Sequence, residues 1–439
     1  MEGRTRCQAE KVTPILSMFP PHLRSASLVS VFIALAGGIS ARAAETLGTI
    51  PDSAVAQGMS GGRYANLTDP SALHYTPANI ADLTRPEAEL NYAIWYGDVR
   101  FTQAGTGDSV RMKDPWKMLG SFYSAYPIKP GKVVFGLGVT TPFGLDSQWP
   151  KEGPVKYLIP YEATLITLDI NPVVAFKPVE SVSIGIGLDI MYSSLELRQL
   201  YPWSQAVPGL PLRDGEVHFE GDGWGLGAFA GITWKITPRQ RISVIGRLPV
   251  EVEYRGDFEA TELPSFTKGL GVTSHSDFKS NIKFPASIAA GYGIDVTDRL
   301  TLGVDFFWAQ NSTHDDVPLD IGHNQSLLGG PGQKLDWKDA VTIGGGLQYR
   351  LDDHWAIRAG YMYSTDSQRD TTYTPSVPSN ERHLMSVGLG YKGERHSLDL
   401  GYSYSLFPDR TVSSNTQPAF NGKYEMGWHV VTTSYSFRF

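Results

Sequence analysis

From Ser181 to Ser193 the chain reads SVSIGIGLDIMYS, and its residues fall into two alternating sets. Val182, Ile184, Ile186, Leu188, Ile190 and Tyr192 form an apolar face; Ser181, Ser183, Gly185, Gly187, Asp189, Met191 and Ser193 form a small, mostly polar one. A period of two is that of an extended strand, and this one runs to about twice the usual length. The pattern returns in TLITLDINPVVAF, PASIAAGYGIDV, LTLGVDFFW and SLDLGYSYSLF. It predicts about fourteen strands, near residues 87–101, 117–126, 132–141, 163–176, 181–199, 222–236, 241–255, 283–296, 299–311, 339–350, 355–365, 383–392, 396–407 and 427–439. The central parts of the apolar faces carry no Arg or Lys.

The connections alternate too. PIKPG at 127–131, KPVE at 177–180, TPRQ at 237–240, TD at 297–298, DDH at 352–354 and GER at 393–395 are short. Those at 102–116, 142–162, 200–221, 256–282, 312–338, 366–382 and 408–426 are long and polar. Short turns at one end, long loops at the other and an even strand number describe an outer-membrane barrel. Phe176, Trp234, Tyr349, Trp355 and Tyr391 stand at strand ends, where its aromatic girdles would lie. A soluble sandwich would press its apolar faces together and use strands of about five or six residues. The expected fold is all-β: a 14-stranded antiparallel transmembrane β-barrel whose apolar face meets hydrocarbon. Barrels of about eight strands hold only packed side chains, and those of about 16–18 leave a water channel. Fourteen leave a hole that something must fill. Ala44–Pro86, rich in Gly, Ala, Ser and Pro and without alternation, has the size of an internal plug.

No stretch after residue 43 approaches the roughly 18 apolar residues of a spanning helix. LVSVFIAL at Leu28–Leu35 follows Arg24 and precedes ARA at Ala41–Ala43, which reads as a secretory signal peptide cut before Ala44. A start at Met18 rather than Met1 would give that leader an ordinary length. The expected organisation is therefore 1–43 signal peptide, 44–86 hatch and 87–439 barrel. Net charge over 439 residues is −7, and losing the leader's five basic and two acidic residues brings it to about −10. With no long basic run, nucleic acid is not an expected partner. Cys7 is the only cysteine and lies in the leader, so no disulfide framework holds the exported chain.

Within the plug segment stands QGMSGGRYANLTDPSALHYTPANIADL, Gln57–Leu83. It resembles the opening of the FadL-like outer-membrane transporters of long-chain fatty acids and other hydrophobic molecules. Those carry a Gly-rich run, then Ala-x-x-x-Asp-Pro-Ser-Ala, then Asn-Pro-Ala. A second likeness is VTTPFGLDSQWP, Val139–Pro150, followed by the strand with DINPVVAF. The resemblance implies a barrel plugged by its N-terminus, with Ser60, Gly61, Gly62, Asp69, Pro70, Thr76, Pro77 and Ala78 in the hatch. Thr76 stands where the family has Asn; it keeps an oxygen but lacks the amide pair. The resemblance further implies that a ligand lands among the outer loops, enters the lumen and leaves sideways at a kinked third strand. That strand is KVVFGLGVTTPFG, so Gly136, Gly138, Pro142, Phe143 and Gly144 are the candidate opening. Gly136 and Gly138 either kink the strand or make room for the plug.

Ligand would be received by the third and fourth long loops. The third offers Leu200, Tyr201, Trp203, Val207, Leu210 and Leu212; the fourth offers Phe258, Leu263, Phe266 and Leu270. Apolar residues in outer loops are costly unless they pack on one another or bind something. Inward-facing Met191, Phe229, Ile245, Phe307 and Met362 would line a pocket below. Arg247 and Arg358 either meet a fatty-acid carboxylate or pair with Asp169, Asp189, Asp305 or Asp399. His314–Asp316, His323 and Ser326 are read as solvated loop, and GDGWGLG has no βαβ context to make it a nucleotide fingerprint. With no nucleophile, base and orienter in view, the chain is not expected to be an enzyme, and no cofactor or metal is expected. A general diffusion porin would lack the plug. The reading is a monomeric outer-membrane channel of a Gram-negative bacterium, set in lipid and lipopolysaccharide, with terminal Phe439 as the handle for the barrel-assembly machinery. Its cargo is long-chain fatty acids, or alternatively aromatic hydrocarbons.

Overall fold

The computed structural model describes residues 53–203, 213–314, 316–322 and 333–439. The expected signal peptide lies outside them. Fourteen antiparallel strands follow one another round a ring. They are β1 (Glu87–Gln103), β2 (Trp116–Lys129), β3 (Val133–Thr140 and Gly144–Gln148), β4 (Glu162–Val179) and β5 (Val182–Tyr201). Then come β6 (Gly215–Thr237), β7 (Gln240–Arg247 and Val250–Ala260), β8 (His275–Phe284 and Ser287–Asp295), β9 (Leu300–Ala309) and β10 (Ala340–Arg350). The last are β11 (Trp355–Ser364), β12 (Arg382–Lys392), β13 (His396–Leu406) and β14 (Gly422–Arg438), which closes on β1 from Glu87↔Arg438 to Gln103↔Gly422. Closure of β14 on β1 leaves the ring without a free first or last edge.

The sequence period becomes the burial pattern. On β5 the apolar set faces out, with Ile186 53% exposed, while Ser183, Asp189, Met191 and Ser193 are buried inside. Leu302, Val304 and Phe306 on β9 and Leu398, Leu400 and Tyr402 on β13 repeat this belt. Beyond it β6, β7 and β8 continue where loops were expected. On Val250–Ala260 the outward residues become Glu251, Glu253, Arg255, Asp257 and Glu259, while Val250, Val252, Tyr254 and Phe258 point in. This is a strand with water outside and an apolar core inside. The paired segments 215–222, 255–260 and 275–284 therefore form a ribbon standing clear of the hydrocarbon.

Three strands break at prolines. β3 breaks at Thr141–Phe143 around Pro142, β7 at Leu248–Pro249 and β8 at Pro285–Ala286. Proline donates no ladder hydrogen bond, so such breaks are where it is tolerated in a sheet.

From Ser53 onward the segment before β1 touches inward groups all round the ring, which places it in the lumen. Ala54 N donates to Ser434 on β14 at 2.7 Å, and Gln57 Nε2 to Ser403 on β13 at 2.9 Å. Arg63 pairs with Asp305 on β9 at 3.2 Å, and Asp82 meets Lys177 on β4 and Lys235 on β6. Three short helices, α1 (Ala54–Met59), α2 (Arg63–Asn66) and α3 (Ala72–Tyr75), and a 3-10 turn at Pro77–Asp82 make up the segment. Ser53 caps α1 by accepting from Ala56 N at 3.2 Å.

Candidate functional site

The resemblance residues of the lumenal segment are all positional. Ser60 ends α1 at φ 47°, and its Oγ donates to Gln57 O at 2.9 Å. Gly61 and Gly62 follow because the wall is too close for a side chain: a Cβ on Gly61 would stand 2.4 Å from Gly345 N. Asp69 accepts from Ser71 N at 3.0 Å, beside buried Pro70. Pro77 and Ala78 press on Gly185, where a Cβ would meet Pro77 C at 2.4 Å. Thr76 is fully buried, and its Oγ1 has no partner among the described residues. Three residues on, Asn79 uses both ends of its amide. Its Nδ2 donates to Tyr64 O (2.9 Å) and Leu67 O (3.0 Å), and its Oδ1 accepts from Thr233 on β6 (2.6 Å).

Gly136 and Gly138 carry no kink. Both sit in unbroken ladders with β2 and β4, and a Cβ on them would meet Ile80 at 2.8 Å and Leu73 at 2.9 Å. They make room for the lumenal segment; the strand gives way three residues later, at Pro142. Past that point Gly144–Gln148 pairs with β4 alone, and β2 residues Trp116–Ser121 pair with β1 alone. The β2–β3 seam is thus unladdered from the Phe122↔Val139 pair up to an isolated bridge at Lys113↔Gln148. Thr167 on β4 bridges the break, donating to Phe143 O at 2.6 Å and accepting from Phe143 N at 3.0 Å.

Behind the break lies a cavity of about 150 Å³. Pro142 and Phe143 wall one side, Tyr64, His74 and Tyr75 the floor, and Met191, Ile245, Leu248, Val250, Phe284, Ala289 and Phe307 most of the rest. Phe143 stacks on Phe284 with centroids 4.6 Å apart. The three proline breaks all fall at this level, since Leu248, Val250 and Pro285 also line it. Its polar corner holds Arg247, Asp189 and Asp169. Arg247 is salt-bridged to Asp189, donates to His74 O at 2.8 Å and lies 4.0 Å over the Phe229 ring. Asn171 ties both carboxylates, at 3.0 Å to Asp169 and 2.9 Å to Asp189. Asp169 Oδ1, His74 Nδ1 and the Tyr75 hydroxyl have no partner among the described residues. Such a site offers an apolar hold and a few convergent polar groups, the usual make-up of a ligand pocket.

The expected pocket residues therefore divide. Met191, Phe307 and Arg247 reach the cavity, whereas Phe229 packs beneath it against the lumenal segment. Met362 lies apart, 3.5 Å from Arg63 Nη2. Arg358 pairs with Asp399 at 2.7 Å and Gln348 at 2.8 Å, in a polar vestibule of about 720 Å³ at the short-turn end. Tyr64, His74 and Tyr75 lining the cavity were not read from the sequence; their only signal was aromatic residues in a segment otherwise small.

Of the expected loop residues, Tyr201, Trp203, Phe258 and Leu263 pack in one apolar cluster above the cavity. Leu200 and Tyr201 end β5 and Phe258 lies on β7, so none of the three is a loop residue. Phe258 is fully buried against Phe219 at 5.1 Å, in one cluster with Leu195, Trp203, Val217 and Phe278. Leu263 packs on its edge; Phe266 meets Trp203 at 6.3 Å and stays 41% exposed. Leu270 ends a 3-10 turn, and Val207, Leu210 and Leu212 lie outside the described residues.

A closed wall with an apolar outer belt, a filled lumen and an apolar cavity behind a break in the wall define an outer-membrane transport barrel. Residues 29–439 match the family described as outer membrane protein transport protein (OMPP1/FadL/TodX), and the chain belongs to it. It is 24% identical over 381 residues to the long-chain fatty acid transport protein of Escherichia coli O6:H1, covering 78% of this chain and 82% of that one. The 47 kDa outer membrane protein of Pasteurella multocida is 22% identical, with 94% and 98% covered. In fold it is similar to a FadL homologue of Pseudomonas aeruginosa (TM-score 0.77, 18% identity, 91% of this chain and 99% of that one). It is also similar to the toluene transporter TodX of Pseudomonas putida (0.70, 16% identity, 90% and 100%). The protein is thus a Gram-negative outer-membrane transporter of hydrophobic compounds and not an enzyme.

Proposed function

We propose that the protein imports long-chain fatty acids, and that its lumenal segment is a plug which sends them out sideways at the break in β3. The observation that carries this reading is the position of the cavity: Pro142 and Phe143 are at once its wall and the edge of the unladdered seam. The cluster around Trp203, Phe219 and Phe258 accepts the alkyl tail and leads down to it, with burial of apolar surface as the driving force. Arg247 is the lining cation that meets the carboxylate, and the fatty-acid transporters among the relatives support that cargo. Replacing it tests the assignment. A charge-assisted hydrogen bond contributes about 1.5–3 kcal/mol, so Arg247→Ala is expected to lower oleate uptake by about tenfold or more and leave toluene uptake unchanged. Equal loss of both would count against a carboxylate contact.

One observation favours a second cargo. A cavity of about 150 Å³ is of the size known to hold benzene, and a toluene transporter shares the fold. A monoaromatic hydrocarbon fits as the walls stand, whereas a fatty acid needs the cluster above to part. Saturable toluene uptake that oleate fails to inhibit would support this reading.

A further inference from the structure

The seam between β2 and β3 is held by charge. Asp146 lies opposite Thr164 of β4, and Leu145 opposite inward Leu165, so Asp146 is on the outward side of its segment. Yet it is only 2% exposed. What covers it is Lys117, a residue of β2's inward face and also 2% exposed, whose ammonium pairs with Asp146 and with Asp114. The inward side of β2 thus lies over the outward side of Gly144–Gln148, so the two strands overlap like shingles instead of pairing edge to edge. Across this overlap run the backbone bridge at Lys113↔Gln148 and the Lys117–Asp146 pair. Among the described residues, another irregular stretch, between β6 and β7, brings the two backbones close: a Cβ on Gly223 would stand 2.1 Å from Glu253 O.

Resting on the sideways exit proposed above, we infer that Lys117 and Asp146 are its latch. A buried carboxylate–ammonium pair across a seam holds two surfaces together, and it is weakened by another carboxylate that competes with Asp146 for the lysine. A fatty acid leaving the cavity past Phe143 brings one. Its head group replaces Asp146 on Lys117, the inset segment is released, and the tail follows into the bilayer. A hydrocarbon without a head group has nothing to exchange. The pair therefore selects for carboxylates at the exit, a step separate from binding at Arg247.

The test compares uptake of radiolabelled oleate and hexadecane by cells carrying the full protein, with heat-modifiable migration confirming folded barrels. Asp146→Asn and Lys117→Met are each expected to raise hexadecane uptake at least fivefold. The exchange Lys117→Asp/Asp146→Lys, which restores a pair, is expected to return it to the starting level. Hexadecane uptake unchanged in both single variants, with oleate still carried, overturns the latch and leaves the exit intact. A Lys117→Cys/Asp146→Cys protein bridged by a short bismaleimide is expected to carry neither cargo, and the absence of other cysteines after the leader keeps that labelling clean. Full oleate uptake through the bridged protein overturns exit and latch together.

Discussion

Gly360 on β11 has no room for a methyl group: a Cβ there would lie 1.6 Å from Met59 O of the lumenal segment. Overpacking costs about 1–3 kcal/mol, so Gly360→Ala should lower the temperature at which the barrel loses heat-modifiable migration by several degrees. Asn79 is the polar counterpart. It uses both ends of its amide, and stripping it to Ala leaves Tyr64 O, Leu67 O and Thr233 to find other partners. Buried groups left unpaired cost about 1–3 kcal/mol each, so Asn79→Ala should loosen the segment, read as faster hydrogen exchange at Tyr64–Leu67. The sequence shows which residues face inward, because a period of two decides the face. It does not show partners, because pairing across the lumen depends on neighbours far apart in the chain. Arg247 and Arg358 looked equivalent for that reason. Both pair with a lumen carboxylate, Arg247 with Asp189 at the cavity and Arg358 with Asp399 in the vestibule.

All fourteen strands were legible as elements, and their extensions above the membrane were not. Val250–Ala260 and His275–Phe284 alternate as regularly as β5, but their outward set is charged. Read for an apolar outer face, residues 256–282 look like a loop; read for alternation alone, 256–260 and 275–282 continue the strands on either side. A kink in β3 was assigned to its glycines because glycine permits one, whereas the strand breaks around Pro142, which donates no ladder hydrogen bond. The outer segment after β9 carries its own pH response. Burial pushes the His314 imidazole, packed 4.9 Å from Trp337, down from 6.5 to about 4. A group whose pKa falls on folding destabilises the folded form as pH drops from its unfolded value towards its folded one. Hydrogen exchange around His314 and Trp337 should therefore quicken as pH is lowered from 6.5 to 4, and His314→Leu should flatten that response.

At the scale of the whole molecule the proposed exit has a rival. The proposed route would lead from the cavity past Pro142 and Phe143 to the seam under β2. The rival would lead through the polar vestibule lined by Arg241, Gln348, Arg350 and Lys392 at the short-turn end. Apolar cargo on the first meets the apolar cavity walls before the Lys117–Asp146 pair, and on the second it meets a vestibule lined by charge, so burial of apolar surface favours the first. The sequence pointed to a wall and a filler, since fourteen strands are too many to pack on themselves. It gave no measure of the space left over, which depends on how the filler folds. The most direct test is photo-cross-linking with a diazirine-tailed palmitate during uptake, followed by mapping of the adducts. The account predicts label on Pro142, Phe143, Met191 and the Met118–Leu119 side of β2. Label concentrated on Arg241, Gln348, Arg350 and Lys392 would contradict it.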